Sequence, residues 1–537
     1  MAVKLAKKQK KKENAGQMIV TSFLEYISVL WVIVMAFALA LYMKDGYFQI
    51  GTAKYNAFAH VAVFGMPVLL LLVILYLIFT IKETKISLSG TKQMLKNLSV
   101  TDRFVIAYLL FALLSFVCSG HMKESFWGYN GWFMGLFSQM VFVLMYFIFS
   151  RFLKDYPITL GAVCAVAFYV FLLGVLHRLL IDPIGVYENL EVKYKNQFLS
   201  TLGQASWYSG FMITILPLGM FFFWYFKNYV LRIVTGIFVF VGFMTMVSQN
   251  TDSAYFGFLA ATLVLFHVSV KDAGSMRRFF EVMLLFVLAP KCMQLLLKIW
   301  PNDIMWWDTL SRILITSNKM WFWAVLCIGM IVLFAVLQKK EKYPAAVMYK
   351  LRTVAYILLL LFLVACVCIL VMGANGWLPA GIAAWVQKIP YLTWSNLWGN
   401  QRGFTWSFTA SMYAEMGLKN KLIGVGPDCY AIYAHGAYTE ILKEQWGGSI
   451  LTNAHNEWFN MLINTGLFGA AAYLGIFVSA LVRFVKHSDG KPVLIGLAAC
   501  VAAYMAHNLF CYQQVLCTPF VFVFMAIGEY QLRKKEK

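Results

Sequence analysis

The sequence predicts an all-α fold, a polytopic transmembrane helical bundle of about 14 spans (12–14) with one long extracytoplasmic loop. Three observations carry that expectation. Hydrophobic residues fill 61% of the 537 positions and charged residues only 13%, against about 45 to 50% and about 25% in soluble domains. The apolar residues come in runs of roughly 20, the length an α-helix needs to cross a bilayer core. Lys and Arg concentrate in alternate connections between those runs, as the positive-inside rule requires of a multi-pass protein.

Residues 1–22 form a basic tail with six Lys between Lys4 and Lys12. Such a tail also suits a cleavable signal peptide, but the run that follows is too long for an h-region and lacks a small-residue cleavage site. It is therefore expected to stay as the first span. Apolar runs follow near 23–43, 58–81, 103–120, 131–150, 156–177, 205–226, 229–248, 252–270, 279–299, 318–338 and 353–373, so that 23–373 holds helices 1–11. The segment 374–456 is the long extracytoplasmic loop. Runs near 457–482, 491–511 and 515–532 make helices 12–14 within 457–532, and 533–537 is a second basic tail.

An even number of spans puts both termini on one side. With the N-terminus in the cytoplasm, about 30 of the 45 Lys and Arg fall inside, whereas acidic residues divide almost evenly, about 11 inside and 13 outside. One miscounted span would swap every later loop and erase that asymmetry. The net charge of +21 is dealt out between spans rather than gathered on one surface, which excludes a nucleic-acid footprint. Ten Cys lie mostly within apolar runs without a CxxC pair, so they read as small core residues and not as a zinc or disulfide framework. The cytoplasmic connections are short and carry no phosphate-binding loop, which disfavours an ATP-driven machine.

Chemistry is expected in the loop 374–456, where Arg402, Trp406, Gly424, Gly426 and Asp428, then His455, Asn456 and Glu457, gather charge and turn residues just before an apolar helix. Loops held on rigid scaffolds concentrate function. Thr452 or Asn453 is the expected helix cap, with His455 in the first turn. The positive end of a helix dipole disfavours imidazolium, which makes His455 a neutral proton acceptor near pH 7. Glu457, two residues on, points to another face but could orient the ring or bind a substrate hydroxyl. Asn456, Asn460 and Asn464 share one helix face, which suits either substrate or helix association. His435 reads as a solvated loop residue, and His177 and Arg178 as interface anchors. HNEWF lacks the second His of HExxH, and no GxSxG elbow is present, so zinc-protease and serine-hydrolase patterns are absent.

Three stretches occur in an order that resembles the O-antigen ligase and O-antigen polymerase superfamily of bacterial membrane glycosyltransferases. FLSTLGQASWYSGFMITILPLG (198–219) is similar to its ST-G-N-N span start, with Gln204 and Ser206 in place of the asparagines. GNQRGFTWSFTASMYAEMGLKNKLIGVGPDCY (399–430) resembles its R-x-x-x-W and G-x-G loop, and AHNEWFNMLINTGLFGAAAYLGIF (454–477) its H-N helix. The resemblance covers roughly 198–530. It implies a metal-independent, inverting transfer, with no cofactor, of a glycan from a polyprenyl-pyrophosphate (undecaprenyl type) donor to an acceptor hydroxyl, on the outer side of a bacterial cytoplasmic membrane. By that resemblance His455 is the general base and Arg402 the cation on the leaving pyrophosphate, both catalytic. Asn456, Glu457, Trp406 and Asp428 are substrate-binding candidates. The family's S-R-(small)-A stretch corresponds to QNTDSAYFGFLA (249–260), where Asp252 stands in the place of the Arg. Arg312, Lys319 or Arg178 would then supply the second cation. Trp406, four residues after Arg402, either stacks on the guanidinium or packs at the interface, and Asp428 is either a cap or a hydroxyl ligand.

The implied partners are the lipid bilayer, the lipid-linked donor and a cell-surface glycan or other acceptor, with no nucleic acid. Ligase and repeat-unit polymerase differ only in the acceptor, and the sequence leans slightly to the ligase-like label. A lipid-glycan flippase or secondary transporter is the rival from another class. It predicts repeated halves and intramembrane charge, and only Lys291 beside Pro290 suggests the latter.

Overall fold

The computed structural model describes residues 15–84, 97–131, 133–188, 190–301, 307–447 and 449–534. Each expected apolar run is a helix: α1 (Ala15–Leu41), α2 (Ile50–Thr84), α3 (Val100–Cys118), α4 (Leu136–Phe152), α5 (Tyr156–Arg178), α6 (Ala205–Tyr225), α7 (Tyr229–Ser248), α8 (Ser253–Ser269), α9 (Ala273–Ile299), α10 (Lys319–Lys339), α11 (Ala345–Ala374), α12 (Glu457–Lys486), α13 (Val493–His507) and α14 (Thr518–Arg533). Ten of these are long and apolar enough to cross a membrane, while α4, α8 and α13 are shorter apolar helices. The sheet among the described residues is one antiparallel pair, Phe198–Leu199 with Gly203–Gln204. The chain is an all-α multi-pass membrane protein, because helices that are apolar on every face can be solvated only by lipid or by one another.

Polar residues at the helix ends set the boundaries. Ser99 and Asp102 form a reciprocal capping box on α3, with bonds of 2.9 and 3.0 Å. Asn228 caps α7 and Asp272 caps α9 through the backbone N–H three residues on, satisfying donors that a helix leaves unpaired. Pro67, Pro217 and Pro290 lie inside α2, α6 and α9, a placement that membrane helices tolerate. The core is built on α6, α13 and α14, buried along most of their length, whereas α11 has no buried residue. Cys429, Cys500, Cys511 and Cys517 are buried and Cys368 on α11 is exposed, all as free thiols.

The connections gather at two ends of the bundle. At one end Glu25 pairs with Lys154 at 3.5 Å, Asp102 with Arg151 at 3.5 Å and with Arg533, and Glu529 with Arg483. There too Arg232 pairs with Glu281, and the Tyr343 hydroxyl donates to Val270 O at 2.7 Å. At the other end Tyr47 donates to Ser200 O at 2.6 Å, Tyr391 to Asp252 at 2.6 Å and Trp207 Nε1 to Tyr512 at 2.8 Å. Among the described residues, these contacts join alternate loops, as up-and-down helices demand.

Candidate functional site

The second end is where His455 and Arg402 meet, although 52 positions separate them in the chain. The meeting ground is the turn 508–512 between α13 and α14. Arg402 donates from Nε and Nη2 to Phe510 O at 3.0 and 2.8 Å, and from Nη1 to Gly399 O. Tyr512 sets its ring edge-on to His455, centroids 5.5 Å apart at 73°. Asn508 O accepts from Glu457 N at 2.9 Å, which fixes the start of α12 against the same turn. One backbone segment thus holds the guanidinium, the imidazole and the helix that follows it.

Arg402 is aimed by strained backbone. Gly399, Asn400 and Gln401 are all left-handed, with φ of 58, 59 and 66°, inside Trp398–Glu415, so regular helix begins at Arg402. Among the described residues, no ion pair includes Arg402. Carbonyls hold its geometry and no carboxylate among the described residues reaches it within ion-pair distance, which leaves the guanidinium fork able to take an anion. Burial lowers its pKa from the ordinary guanidinium value.

His455 corrects the expected cap. The residue has φ 46° and precedes the helix, and Asn456 is the N-cap, its Oδ1 accepting from Trp458 N and Phe459 N at 3.0 and 3.1 Å. Asn453, one of the two anticipated caps with Thr452, instead accepts from His455 N at 2.8 Å and shapes the turn that presents the ring. Burial, and after it the Arg402 charge, push the imidazole pKa down to about 3. The side chain is neutral at pH 7 and partly exposed.

The remaining candidates divide. Asn456 has its side-chain oxygen engaged in the cap. Glu457 turns away from His455 into the core, where Tyr473, Tyr504 and Asn508 donate to its carboxylate. His455 lies in the left-handed turn before the helix and Glu457 is its first residue, so the two side chains leave the backbone in different directions. Asn460 Oδ1 accepts from Ala454 N at 3.3 Å, and the main-chain carbonyl of Asn464 accepts from Ser115 Oγ and from Gly426 N. Trp406 joins Trp398, Phe459 and Phe510 in an aromatic cluster, centroids 5.5 to 6.2 Å away. It walls the turn that Arg402 grips. Asp428, at φ 59°, clamps a neighbouring loop by accepting from Tyr129 N and Met134 N at 2.7 and 2.9 Å. Burial pushes its carboxyl up to about 7, against those two bonds.

Arg178 is not an interface anchor: it is fully buried, donates from Nε to Ser248 O at 2.6 Å and lies over Trp307 at 5.3 Å. Its neighbour His177 is buried as well, accepting from Ser200 N at 3.0 Å and lying 3.2 Å from Asp182. His435 is no free loop residue either, since Leu451 N donates to its Nε2 at 3.0 Å. Arg312 is exposed on the short helix Thr309–Thr316, and Lys319 is exposed at the start of α10. Asp252 receives the Tyr391 hydroxyl, and burial with the nearby Asp308 carboxyl pushes it up to about 7.

Sequence reading passed over the second half of the site, 506–513. Ala506, His507 and Asn508 repeat the AHN of 454–456, a signal visible in the sequence. His507 is buried, with Nε2 2.9 Å from Ser209 Oγ and Nδ1 2.9 Å from Asn508 Oδ1. Asn508 Nδ2 donates to Glu457, and Gln513, Gln139 and Tyr108 extend the chain of bonds through the core. A cavity of about 590 Å³ at this end, lined by residues including Phe37, Tyr169, Ile184 and Thr201, does not include His455 or Arg402. No group of three or more potential metal ligands occurs among the described residues. No protein-family model matches the chain, and no curated protein matches it.

Proposed function

We propose that this protein is a membrane glycosyltransferase that moves a glycan from a polyprenyl-pyrophosphate donor to an acceptor hydroxyl, outside the cytoplasmic membrane. In this reading all fourteen apolar helices span the bilayer. The end bearing the Asp102, Arg151 and Arg533 cluster, with the start of α1 and the end of α14, faces the cytoplasm, and the end bearing His455 faces outward. The single observation that carries the reading is a neutral imidazole beside a guanidinium that makes no ion pair among the described residues, both seated on the turn 508–512.

The chemistry follows from that pair. The acceptor O–H gives its proton to His455 as its oxygen bonds the anomeric carbon, and the bond from that carbon to the pyrophosphate oxygen breaks. Arg402 takes up the charge growing on the leaving pyrophosphate, where electrostatic stabilisation counts most. An imidazole of pKa about 3 is a weak base until the donor arrives. The bound pyrophosphate offsets the Arg402 charge and so raises the proton affinity of His455 when it is needed. Ligase and polymerase share this site and differ in acceptor, so the product separates them.

The test is transfer from a purified lipid-pyrophosphate donor by the full chain in nanodiscs, with EDTA present. His455→Ala and Arg402→Ala should each lower kcat by at least about 10²-fold at unchanged thermal melting. Undiminished transfer in both would remove the site assignment. Movement of labelled lipid-linked glycan across the bilayer without transfer would replace the enzyme by a flippase.

A further inference from the structure

Helix α11 stands apart from the rest of the bundle: 30 residues, none of them buried. Two hydrogen bonds tie its N-terminal end to α8, from Arg352 Nη1 to His267 O and from the Tyr356 hydroxyl to Leu263 O, each at 3.1 Å. At that junction lies a cavity of about 240 Å³ lined by His267, Arg352, Thr353, Tyr356, Ile357 and Leu360. Its character changes along the helix. A cation stands at the mouth, and Ile357 and Leu360 continue it as an apolar strip on one face, at helical spacing from Thr353.

Charge at the mouth is uncompensated. Arg352 takes part in no ion pair among the described residues, and its guanidinium rests 5.1 Å over the Tyr349 ring. The connection 339–352 adds Lys339, Lys340, Lys342 and Lys350, all exposed, against a single acid, Glu341. A basic cluster next to a membrane helix attracts anionic headgroups. The apolar strip beyond the cation is suited to an acyl chain and not to a free inorganic anion.

We infer that the groove between α11 and α8 holds one anionic phospholipid, its phosphate on Arg352 and an acyl chain along Ile357 and Leu360. The lipid fills the space that protein side chains leave open and joins α11 to the bundle at its basic end. This site is independent of the glycosyl-transfer reading and lies at the opposite end of the molecule.

Native mass spectrometry of the full chain in neutral detergent tests it, with phosphatidylglycerol and phosphatidylcholine of identical chains offered in competition. The native chain should retain one phosphatidylglycerol at least about fivefold in preference, roughly the weight of one basic residue beside an anionic surface. Arg352→Gln should abolish the preference. Leu360→Trp, which fills the cavity and keeps the cation, should lower retention of the lipid, and it reads the proposal even if Arg352→Gln fails to fold. Equal retention of both lipids by the native chain, unchanged preference in both variants, or displacement of the lipid by inorganic phosphate would each overturn it.

Discussion

His455 and Asp428 carry opposite pH dependences. The imidazole pKa is pushed down to about 3 from 6.5. The stability tied to its neutral form is therefore complete above about 6.5 and lost as pH falls toward 3. The profile of kcat/KM reports the free enzyme and that of kcat the substrate complex. On the proposed mechanism, kcat/KM should lack the acid limb near 6.5 that an ordinary histidine gives, while kcat, with pyrophosphate on Arg402, shows one displaced upward. Coincident limbs near 6.5 in both would contradict the pairing of these residues. Asp428 runs the other way, since its pKa is raised from 3.8 to about 7. Its contribution is complete at low pH and lost as pH rises through 7, because charging a buried carboxyl then opposes folding. Asp428→Asn keeps an acceptor for Tyr129 N and Met134 N but cannot ionise. Its thermal melting should lose the native chain's decline between about pH 4 and 7, and an unchanged decline would place that titration elsewhere.

At the scale of elements, the decisive feature is a break in α12. Gly466 has φ 68° and ψ −177°, so the helix stops and restarts there. Ile463 O accepts from Val425 N at 3.1 Å and Asn464 O from Gly426 N at 3.0 Å. A Cβ on Gly466 would meet the Leu422 and Ile423 backbone at 2.4 Å, and one on Gly424 would meet Asn464 O at 2.3 Å. Two backbones approach where only glycine fits. Gly466→Ala and Gly424→Ala should each lower stability by about 1 to 3 kcal/mol and reduce transfer. Melting curves in detergent check this, and two undisturbed variants would show that the loop does not depend on the contact. The sequence marks Gly424 and Gly426 as a tight turn, but their partner 40 residues later is invisible to local pattern. The same holds for Asn464, whose recurrence suggests a stripe while its carbonyl does the binding.

For the whole molecule, the two ends of the bundle differ in charge chemistry. One joins Asp102 and Glu529 to Arg151, Arg483 and Arg533. The other presents Arg402 and His455. With the basic end inside, single cysteines placed at Ser488 and Ser449 should label from opposite faces in sealed vesicles, the first only after permeabilisation. Impermeant thiol reagent acting on both from outside would overturn the proposed orientation. The test needs a background lacking reactive native thiols, and Cys368 on the lipid-facing α11 is the exposed one.

Hydropathy and charge placement alone specify the all-α membrane class and the location of each apolar helix, because lipid forces backbone hydrogen bonds inside every helix and makes each span a local property. The HN turn and the R-x-x-x-W stretch are legible for the same reason, as short contiguous patterns. Only tertiary structure decides that Arg402 and His455 share the turn 508–512, that Glu457 faces the core, and that Arg178 and His177 are buried and not at the lipid surface. Those outcomes depend on which helices pack together and on the backbone at Gly399 to Gln401 and at Gly466. Side-chain contacts between distant segments are set by that packing, and no residue type announces its partner in advance.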